Sequence, residues 1–419
     1  MAIARGSVQH ALPEDLQALV TSVLFPAKCA TRASSNERQA LNTAVYDRFN
    51  MSQTIAFPYA RTGLHAVLAS MRLPHGSKIL MTPLTIEPML TIITSLGLQP
   101  EFVDIELETF GPDIEDLKRK LKSRPAVFLL TYLFGYIPDV SQIVSECGSA
   151  GVRIIEDFSH NIGASFDGQP LGTFGYAGIY SASMLKYVDA YNGALVITND
   201  EILGHSLDKT AKQLLDPSPR RIQRAILKTL VWNIALNRYI FSFATFPLLA
   251  CLKAVSQQHF DELLNPSISS NTDIDKLPSY YFEDIASIQA RTMLLHLSEL
   301  DELLAQRKEV ATIANDALLE VENTNGMIHH SQPNHMSTNH TFWQFVLRVN
   351  NVSAARKLLF RNRIETSTTN LIDVAYTSGL VLPNARALKA EHIFVPLHQH
   401  LRRSDYVKIF RTLNHGNNI

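Results

Sequence analysis

Residues 153–200 read RIIEDFSHNIGASFDGQPLGTFGYAGIYSASMLKYVDAYNGALVITND and are the centre of the chain. Three short apolar runs lie in it or directly beside it: Val152–Ile155, Ala177–Tyr180 and Ala194–Thr198. Short apolar runs between glycine-rich turns are typical of buried strands in a sheet that is covered on both faces. The stretch therefore predicts the centre of an α/β sheet.

Two reactive side chains follow neighbouring strands of this predicted sheet. Asp157 follows the first run and Lys186 follows the second. Functional groups in open α/β sheets collect at the carboxyl ends of strands, so we expect both side chains in one crevice. Pyridoxal phosphate (PLP) needs a lysine for its Schiff base and an acid beside its ring nitrogen. A surface lysine and a structural strand-end aspartate would explain the same two residues, so the pair alone leaves both interpretations open.

The sequence around the pair resembles the DegT/DnrJ/EryC1/StrS family of sugar aminotransferases. That family carries a motif like EDAAQAHGA, then a segment leading to the lysine, then a loop ending in VVTND; the matching segments here are EDFSHNIGA, LGTFGYAGIYSASMLK and ALVITND. The resemblance implies a fold-type I PLP-dependent transferase, with a large, mostly parallel three-layer α/β domain and a small C-terminal α+β domain. Family members that deoxygenate sugars have histidine in place of the lysine, so Lys186 favours transamination.

The resemblance also implies cofactor-binding roles elsewhere in the chain. Arg61, Thr62 and Gly63 precede an amphipathic helix, where the family binds the cofactor phosphate. Free N–H groups at a helix start suit an anion, although a plain capping threonine is the alternative. Ser181 matches a family serine that touches the phosphate. His160 stands where the family usually has a glutamine close to the cofactor, and a structural strand-end histidine is the alternative.

Several positions depart from the family pattern. Ile86 replaces the aromatic residue that stacks on the pyridine ring, so an aliphatic side chain would cover the ring. Ser279–Phe282 replace a motif whose asparagine reaches the neighbouring subunit, and residues 363–372 lack a histidine and a tyrosine near the substrate. The loop Tyr191–Ala194 keeps one glycine of a glycine-rich run. These departures leave a non-catalytic family member, with a regulatory or membrane-surface scaffolding role, open as the alternative.

The chain is expected to divide into a large PLP-binding domain (1–205), a basic apolar helical insert (206–272) and a small C-terminal domain with a long linking helix (273–419). No acidic residue lies between Asp216 and Asp261, whereas six basic residues do: Arg220, Arg221, Arg224, Lys228, Arg238 and Lys253. Because basic amphipathic helices are typical of interfacial anchors, residues 217–260 predict peripheral membrane contact. Burial in a dimer interface or against the core is the alternative. No uninterrupted apolar span approaches about 20 residues, so we expect no transmembrane helix.

Composition narrows the class of protein further. A formal net charge of −1 argues against a nucleic-acid binder driven by bulk charge. The three cysteines show no CxxC spacing, and no signal peptide is visible. We therefore expect the cytoplasm, at the inner face of the membrane if the insert binds lipid. The fifteen histidines include no HExxH motif, and the cluster His329, His330, His335 and His340 lacks ligand spacing, so we expect no metal site.

The sequence and the resemblance together predict a homodimeric PLP-dependent aminotransferase. Lys186 and Asp157 are its predicted catalytic residues. By resemblance, the enzyme moves an amino group from an amino acid, glutamate or glutamine, to a keto sugar nucleotide. Such reactions serve polysaccharide, glycan or secondary-metabolite sugar biosynthesis.

Overall fold

A computed structural model describes residues 1–256, 259–260, 277–325 and 339–415. Within these residues the strands are β1 (Gln53–Phe57), β2 (Lys78–Met81), β3 (Leu84–Thr85), β4 (Gln99–Phe102), β5 (Val127–Thr131), β6 (Arg153–Asp157), β7 (Ser165–Phe166), β8 (Gln169–Pro170), β9 (Ala177–Ser181), β10 (Ala194–Thr198), β11 (Phe345–Arg348), β12 (Ile372–Asp373) and β13 (His392–Val395). The three apolar runs in and beside residues 153–200 thus form β6, β9 and β10, as predicted.

The central sheet has seven strands in the order β1-β10-β9-β6-β5-β2-β4. Strands β9, β6, β5, β2 and β4 pair in parallel, and β10 pairs antiparallel with both β9 and β1. Along the strands, buried side chains alternate between two apolar clusters: Val127 and Leu129 belong to one, whereas Phe128 and Leu130 belong to the other. A mostly parallel sheet that is covered on both faces confirms the predicted α/β class.

The helices that cover the sheet follow the strands along the chain. They are α1 (Leu12–Leu24), α2 (Pro26–Cys29), α3 (Ser35–Phe49), α4 (Ala60–Ser70), α5 (Glu87–Ser95), α6 (Ile114–Leu121), α7 (Val140–Ser149) and α8 (Glu201–Lys212). Helix α4 packs against β9 and β10. Helix α8 packs against β1 and α4.

After the sheet come α9 (Pro219–Leu236) and a continuous helical stretch made of α10 (Arg238–Ile240), a π-helical turn (Phe241–Thr245) and α11 (Phe246–Val255). Helix α9 packs on α1. Of the described residues, Arg238–Val255 form one helical stretch that is long and apolar enough, by length and composition, to cross a membrane, and 22% of it is buried. Its buried side chains Phe241 and Phe246 pack with Ala2 and Ala4. The rest of the predicted insert, residues 257–258 and 261–272, lies outside the described residues.

The C-terminal part begins with a 3-10 turn (Ser279–Phe282) and the long helix α12 (Ser287–Asn325). It continues with α13 (Val352–Arg361), α14 (Val374–Thr377), α15 (Pro383–Glu391) and α16 (Arg403–His415). Strands β11 and β13 pair antiparallel, and β12 pairs with β3 of the large part of the molecule. Of the predicted histidine cluster, residues 329, 330 and 335 lie outside the described residues.

One predicted strand is shorter in the structure. The alternating segment 340–349 predicts a single strand, but the strand covers only Phe345–Arg348. The N–H groups of Thr341 and Gln344 donate instead to the carbonyls of Gly135 and Phe134. The first half of the segment therefore crosses over to the strand ends of the central sheet, and this contact brings it to the candidate active site.

Candidate active site

The site is built where two adjacent parallel strands end. Asp157 is the last residue of β6, and Ser181 is the last residue of β9, its neighbour. Lys186 follows five residues later, in a loop that returns to β10. The fold therefore places both predicted catalytic residues at the carboxyl ends of neighbouring central strands.

Burial and charge set the protonation of the lysine. Burial lowers the pKa of Lys186 to about 7, and the Asp157 carboxylate opposes this shift. A pKa near neutrality leaves a large share of the amine unprotonated, as a nucleophile that attacks an aldehyde requires. Burial also raises the pKa of Asp157, whereas contacts with Ser159 and the charge of Lys186 lower it.

Serine side chains connect the two strand ends. The Ser159 N–H donates to Asp157 Oδ1 over 3.0 Å, which orients the carboxylate. The Ser181 N–H donates to Ser159 Oγ over 3.0 Å, and Ser181 Oγ donates to Ser183 Oγ over 3.2 Å. Two successive hydrogen bonds thus connect Asp157, at the end of β6, with Ser181, at the end of β9.

His160 is buried in a stack of aromatic rings. Its imidazole lies parallel to the indole of Trp343, with 3.8 Å between centroids, and the ring of Phe134 lies 6.1 Å away. The Phe134 N–H donates to His160 Nδ1 over 3.2 Å. Burial, and then the charge of Lys186, hold the pKa of His160 well below its usual value. The neutral ring therefore accepts at Nδ1 and carries its proton on Nε2.

Trp343 is a site residue that the sequence did not reveal. Lys186 Nζ lies 4.3 Å from the centroid of its indole, and the indole Nε1 donates to the Leu185 carbonyl over 3.0 Å. The guanidinium of Arg307, on α12, donates to the Trp343 carbonyl over 2.7 Å. Trp343 lies more than 150 residues after Lys186 and belongs to no motif, so no local signal could have found it.

The residues that are predicted to bind the cofactor phosphate lie at the start of α4. The Arg61 guanidinium lies 3.9 Å from the ring centroid of Tyr59 and 4.4 Å from that of Tyr281. Arg61 Nε is buried and has no hydrogen-bond partner among the described residues. Thr62 Oγ1 donates to the Tyr281 carbonyl over 2.7 Å, and the Thr62 N–H donates to the Tyr59 carbonyl. In this conformation the free donor is therefore on Arg61, and a phosphate contact by Thr62 stays a prediction.

Gly63 and Ile86 complete the predicted set. A Cβ on Gly63 would lie 2.6 Å from Val196 Cγ2, so the absence of a side chain lets α4 approach the sheet closely. The N–H of Gly63 also donates to Tyr59, so its direct role toward a phosphate stays a prediction. Ile86 precedes α5, is half buried and packs against the apolar core, and its covering of a cofactor ring likewise stays a prediction.

A second polar cluster lies outside this site. His10, Glu14 and His296 bring possible ligand atoms within 4.8 Å of one another. The two ring nitrogens of His10, however, lie 3.2 Å from Asp15 Oδ1 and 3.4 Å from Asp189 Oδ1. Because both nitrogens already face carboxylates, we interpret the cluster as an ion-pair network and not as a metal centre.

The chemistry of the first site fits pyridoxal phosphate. A lysine with a pKa of about 7, which is partly unprotonated at neutral pH, suits the aldehyde, and a buried carboxylate suits the ring nitrogen. The partnerless Nε of Arg61 at a helix start suits the phosphate, since such donors otherwise cost free energy when buried. Lys186, Asp157, His160, Ser181 and Arg61 are the residues that would hold the group.

Comparisons with known proteins identify the family. The model of the DegT/DnrJ/EryC1/StrS aminotransferase family matches residues 14–225 and 281–414. GDP-perosamine synthase from Vibrio cholerae is 25% identical over 187 residues, which are 40% of this chain and 51% of that protein. GDP-perosamine synthase from Escherichia coli O157:H7 is 29% identical over 140 residues, 33% of this chain and 38% of that protein. The matches thus span about half or less of these relatives.

Solved structures share the fold of this chain. The sugar aminotransferase CalS13 from Micromonospora echinospora superimposes with a TM-score of 0.72 at 19% identity, covering 99% of this chain and 100% of that one. PseC from Helicobacter pylori, an aminotransferase involved in pseudoaminic acid biosynthesis, superimposes with a TM-score of 0.72 at 14% identity, and 99% of each chain is covered. The family model covers well over half of the chain, and we conclude that this protein belongs to the DegT/DnrJ/EryC1/StrS aminotransferase family.

Proposed function

We propose that this protein is a PLP-dependent aminotransferase that converts a keto sugar nucleotide into the corresponding amino sugar nucleotide. The amino donor is an amino acid, glutamate or glutamine. The donor loses two electrons and its amino group and becomes a 2-oxo acid. The sugar ketone gains both and becomes an amine, so the exchange balances without a further oxidant or reductant.

The observation that carries the proposal is the state of Lys186. Its side chain is half buried, its pKa lies at about 7, and its Nζ lies 4.3 Å from the centroid of the Trp343 indole. Lys186 follows the end of β9, the strand that pairs with β6 and its last residue, Asp157. A structural lysine would keep its charge in water or pair it closely with a carboxylate. The family membership also favours catalysis over the non-catalytic alternative.

Each residue has a separate role in this proposal. Bound PLP supplies an electron sink next to the carbon atoms that exchange protons. Asp157 keeps the ring nitrogen protonated, which maintains that sink. Lys186 carries the cofactor at rest and moves a proton between the two carbon positions as general acid and base. Arg61 holds the phosphate, and His160 and Trp343 keep water away from the amine.

Cofactor attachment is tested directly by trapping. The protein is incubated with PLP, reduced with borohydride and digested, and the modified peptide is identified by mass spectrometry. The proposal expects modification at Lys186 and its loss in Lys186→Ala, whereas Lys209, an exposed helical lysine, stays unmodified. Failure to attach PLP at Lys186 would refute the proposed cofactor.

The substrate is tested with a panel of keto sugar nucleotides and glutamate. The two curated relatives described above are named GDP-perosamine synthases, so a GDP-linked keto sugar is the first candidate. UDP- and TDP-linked ketones provide the comparison. Mass spectrometry of the sugar product shows whether a ketone oxygen has been replaced by an amine. Turnover of none of these ketones by PLP-loaded protein contradicts the proposed substrate class.

We also propose a homodimer in the cytoplasm, following the family resemblance. In this chain Ser279–Phe282 pack on their own α4, since the Tyr281 carbonyl accepts from Thr62 and its ring contacts Arg61. A dimer contact there would use the exposed Tyr280 in place of the family asparagine. Sedimentation velocity of the wild type and of Tyr280→Ala tests this proposal, and a monomeric wild type contradicts it.

We also propose that the insert makes peripheral contact with a membrane. Exposed Leu227 and Val231 on α9 share a face with the exposed basic side chains of Arg224 and Lys228. The neighbouring α1 adds a stripe of exposed apolar side chains: Leu12, Leu16, Val20, Val23 and Leu24. An apolar face with basic neighbours suits an anionic lipid surface.

Vesicle co-sedimentation tests this contact. Vesicles with anionic lipid should retain the wild type, and the double change Arg224→Glu and Lys228→Glu should release it. The matched control changes two exposed basic residues beside α6, Lys122→Glu and Arg124→Glu, and should bind as the wild type does. Equal sedimentation with and without vesicles would remove the proposal.

A further inference from the structure

A buried charged network lies directly behind the Lys186 loop. His10 Nδ1 is 3.2 Å from Asp15 Oδ1, and His10 Nε2 is 3.4 Å from Asp189 Oδ1, with all three side chains fully buried. Burial alone would lower the pKa of His10, but the interactions with Asp15 and Asp189 outweigh it and raise the pKa to about 9. The ring is therefore a cation at neutral pH, held between two anions.

Asp189 closes the loop that contains Lys186. Its Oδ2 accepts from the Leu185 N–H over 3.3 Å, and its Oδ1 accepts from the Tyr191 N–H over 3.1 Å. Leu185 and Tyr191 have φ angles of 72° and 54°, in the left-handed region that side-chain-bearing residues rarely adopt. Such a backbone persists only when the surrounding contacts hold it, and here one carboxylate contacts both strained residues.

The other end of the network reaches the N-terminal segment and the insert. Asp15, on α1, accepts from the Tyr191 hydroxyl over 2.9 Å and from Asn233 Nδ2 over 2.9 Å. The same amide of Asn233, on α9, donates to the His10 carbonyl over 2.9 Å. The N-terminal segment, α1 and α9 therefore meet at the back of the lysine loop.

Two further titratable side chains face His10. The ring of His296, on α12, lies edge-on at 4.6 Å between centroids, and burial, followed by the charge of His10, lowers its pKa. Glu14 lies on α1 beside them. With its pKa lowered, His296 is neutral at pH 7 and does not repel the His10 cation. The carboxylates of Asp15 and Asp189 attract that cation.

We propose that the His10–Asp189 ion pair is a positioning device that holds the Lys186 loop in shape, so that residues from the N-terminus determine the environment of the active-site amine. The inference rests on the proposed function only for the role of Lys186. His10 and Asp189 touch neither substrate nor cofactor in this scheme. They act by keeping Leu185 and Tyr191 in place, which keeps water from Lys186 Nζ.

The test measures the titration of Lys186 in cofactor-free protein. Each variant is labelled with a limiting amine reagent across a pH series, and peptide mass spectrometry gives the midpoint for each lysine. The wild-type midpoint for Lys186 is expected at about 7. In His10→Gln and Asp189→Asn it should rise by about one pH unit or more, because a loosened loop admits water and solvation restores the charged form. The midpoints of exposed lysines should not move.

A matched control separates positioning from general loosening. Asp116 is also a buried carboxylate that accepts a backbone N–H, from Asp104 over 2.8 Å, and it lies beside β4 at the far edge of the sheet. Asp116→Asn should leave the Lys186 midpoint unchanged. If it raises the midpoint as much as Asp189→Asn does, the positioning role is overturned.

Asn233→Ala keeps the test usable if Asp189→Asn does not fold. It removes the contacts to His10 and Asp15 from outside the loop and should give a smaller upward shift. Unchanged midpoints in folded His10→Gln and Asn233→Ala overturn the proposal. Borohydride trapping of PLP reports separately on the proposed function, so the two ideas fail by different measurements.

Discussion

The indole of Trp343 lies parallel to the imidazole of His160, with 3.8 Å between centroids and 9° between planes. Trp343 comes from the C-terminal part of the chain, and His160 comes from the end of a central strand. Lys186 Nζ lies 4.3 Å from the same indole, so the stack forms one wall of the lysine environment. This apolar wall contributes to the burial that lowers the pKa of the amine.

Trp343→Ala should raise the pKa of Lys186 from about 7 toward the usual lysine range. Removal of the indole admits water beside the amine, and solvation favours the charged form. Trp343→Phe keeps an aromatic face and should give a smaller change. The pH dependence of Lys186 labelling without cofactor measures both values. A midpoint in Trp343→Ala equal to that of the wild type would show that the indole does not shield the amine.

Asp157→Asn should lower the transamination rate by about 10²-fold or more, because an amide lacks the charge that holds a protonated ring nitrogen. The change keeps the size of the side chain and an oxygen for the Ser159 N–H. Attachment of PLP at Lys186 should persist. Single-turnover kinetics with glutamate, compared with borohydride trapping, separates the two effects, and an unchanged rate would argue against the assigned role.

Gly135→Ala should destabilise the protein by about 1–3 kcal/mol. Gly135 has a φ of 91°, and an added Cβ would lie 2.2 Å from the Trp343 nitrogen. The segment that carries Trp343 would have to move away. Gly148→Ala is the control, since that glycine is helical with open space around it and alanine favours a helix. Urea unfolding gives both values, and equal stabilities for the two variants would contradict this packing.

Glu37→Gln should weaken the protein at neutral pH but not in acid. Burial would raise the pKa of Glu37, but hydrogen bonds from Ser287, Ser34 and Arg291 outweigh it and hold the pKa at about 2, against 4.5 in an unfolded chain. Because its pKa is lower in the folded state, the Glu37 carboxylate stabilises the folded protein above pH 4.5. This contribution is lost as the pH falls toward 2. Because the site is partly open to solvent, we expect a difference of about 1 kcal/mol at neutral pH.

Urea unfolding of Glu37→Gln and the wild type at neutral pH and near pH 3 measures this effect. Glu115→Gln, on the exposed side of α6, is the matched control and should show little difference at either pH. A Glu37→Gln difference that stays constant between the two pH values would exclude the carboxylate as its source.

Local sequence patterns were enough to predict the central strands and the reactive pair. Residues 153–200 place β6, β9 and β10 with Asp157 and Lys186 after two of them, because apolar runs and glycine-rich turns act over a few residues. Because β6 and β9 pair in parallel, both residues come to the carboxyl ends of these strands. Motifs around the pair were sufficient to indicate the family, since they lie within the same short stretch.

The other residues that surround the lysine are brought there by tertiary packing, which local patterns do not indicate. Trp343 reaches the site because Gly135 leaves room for its segment, and His10 reaches Asp189 across almost 180 residues of chain. The hydroxyl of Thr62 binds a carbonyl of Tyr281, a contact that no pattern around either residue indicates. Periodicity and motif spacing describe neighbours along the chain, whereas these contacts depend on how distant segments pack against one another.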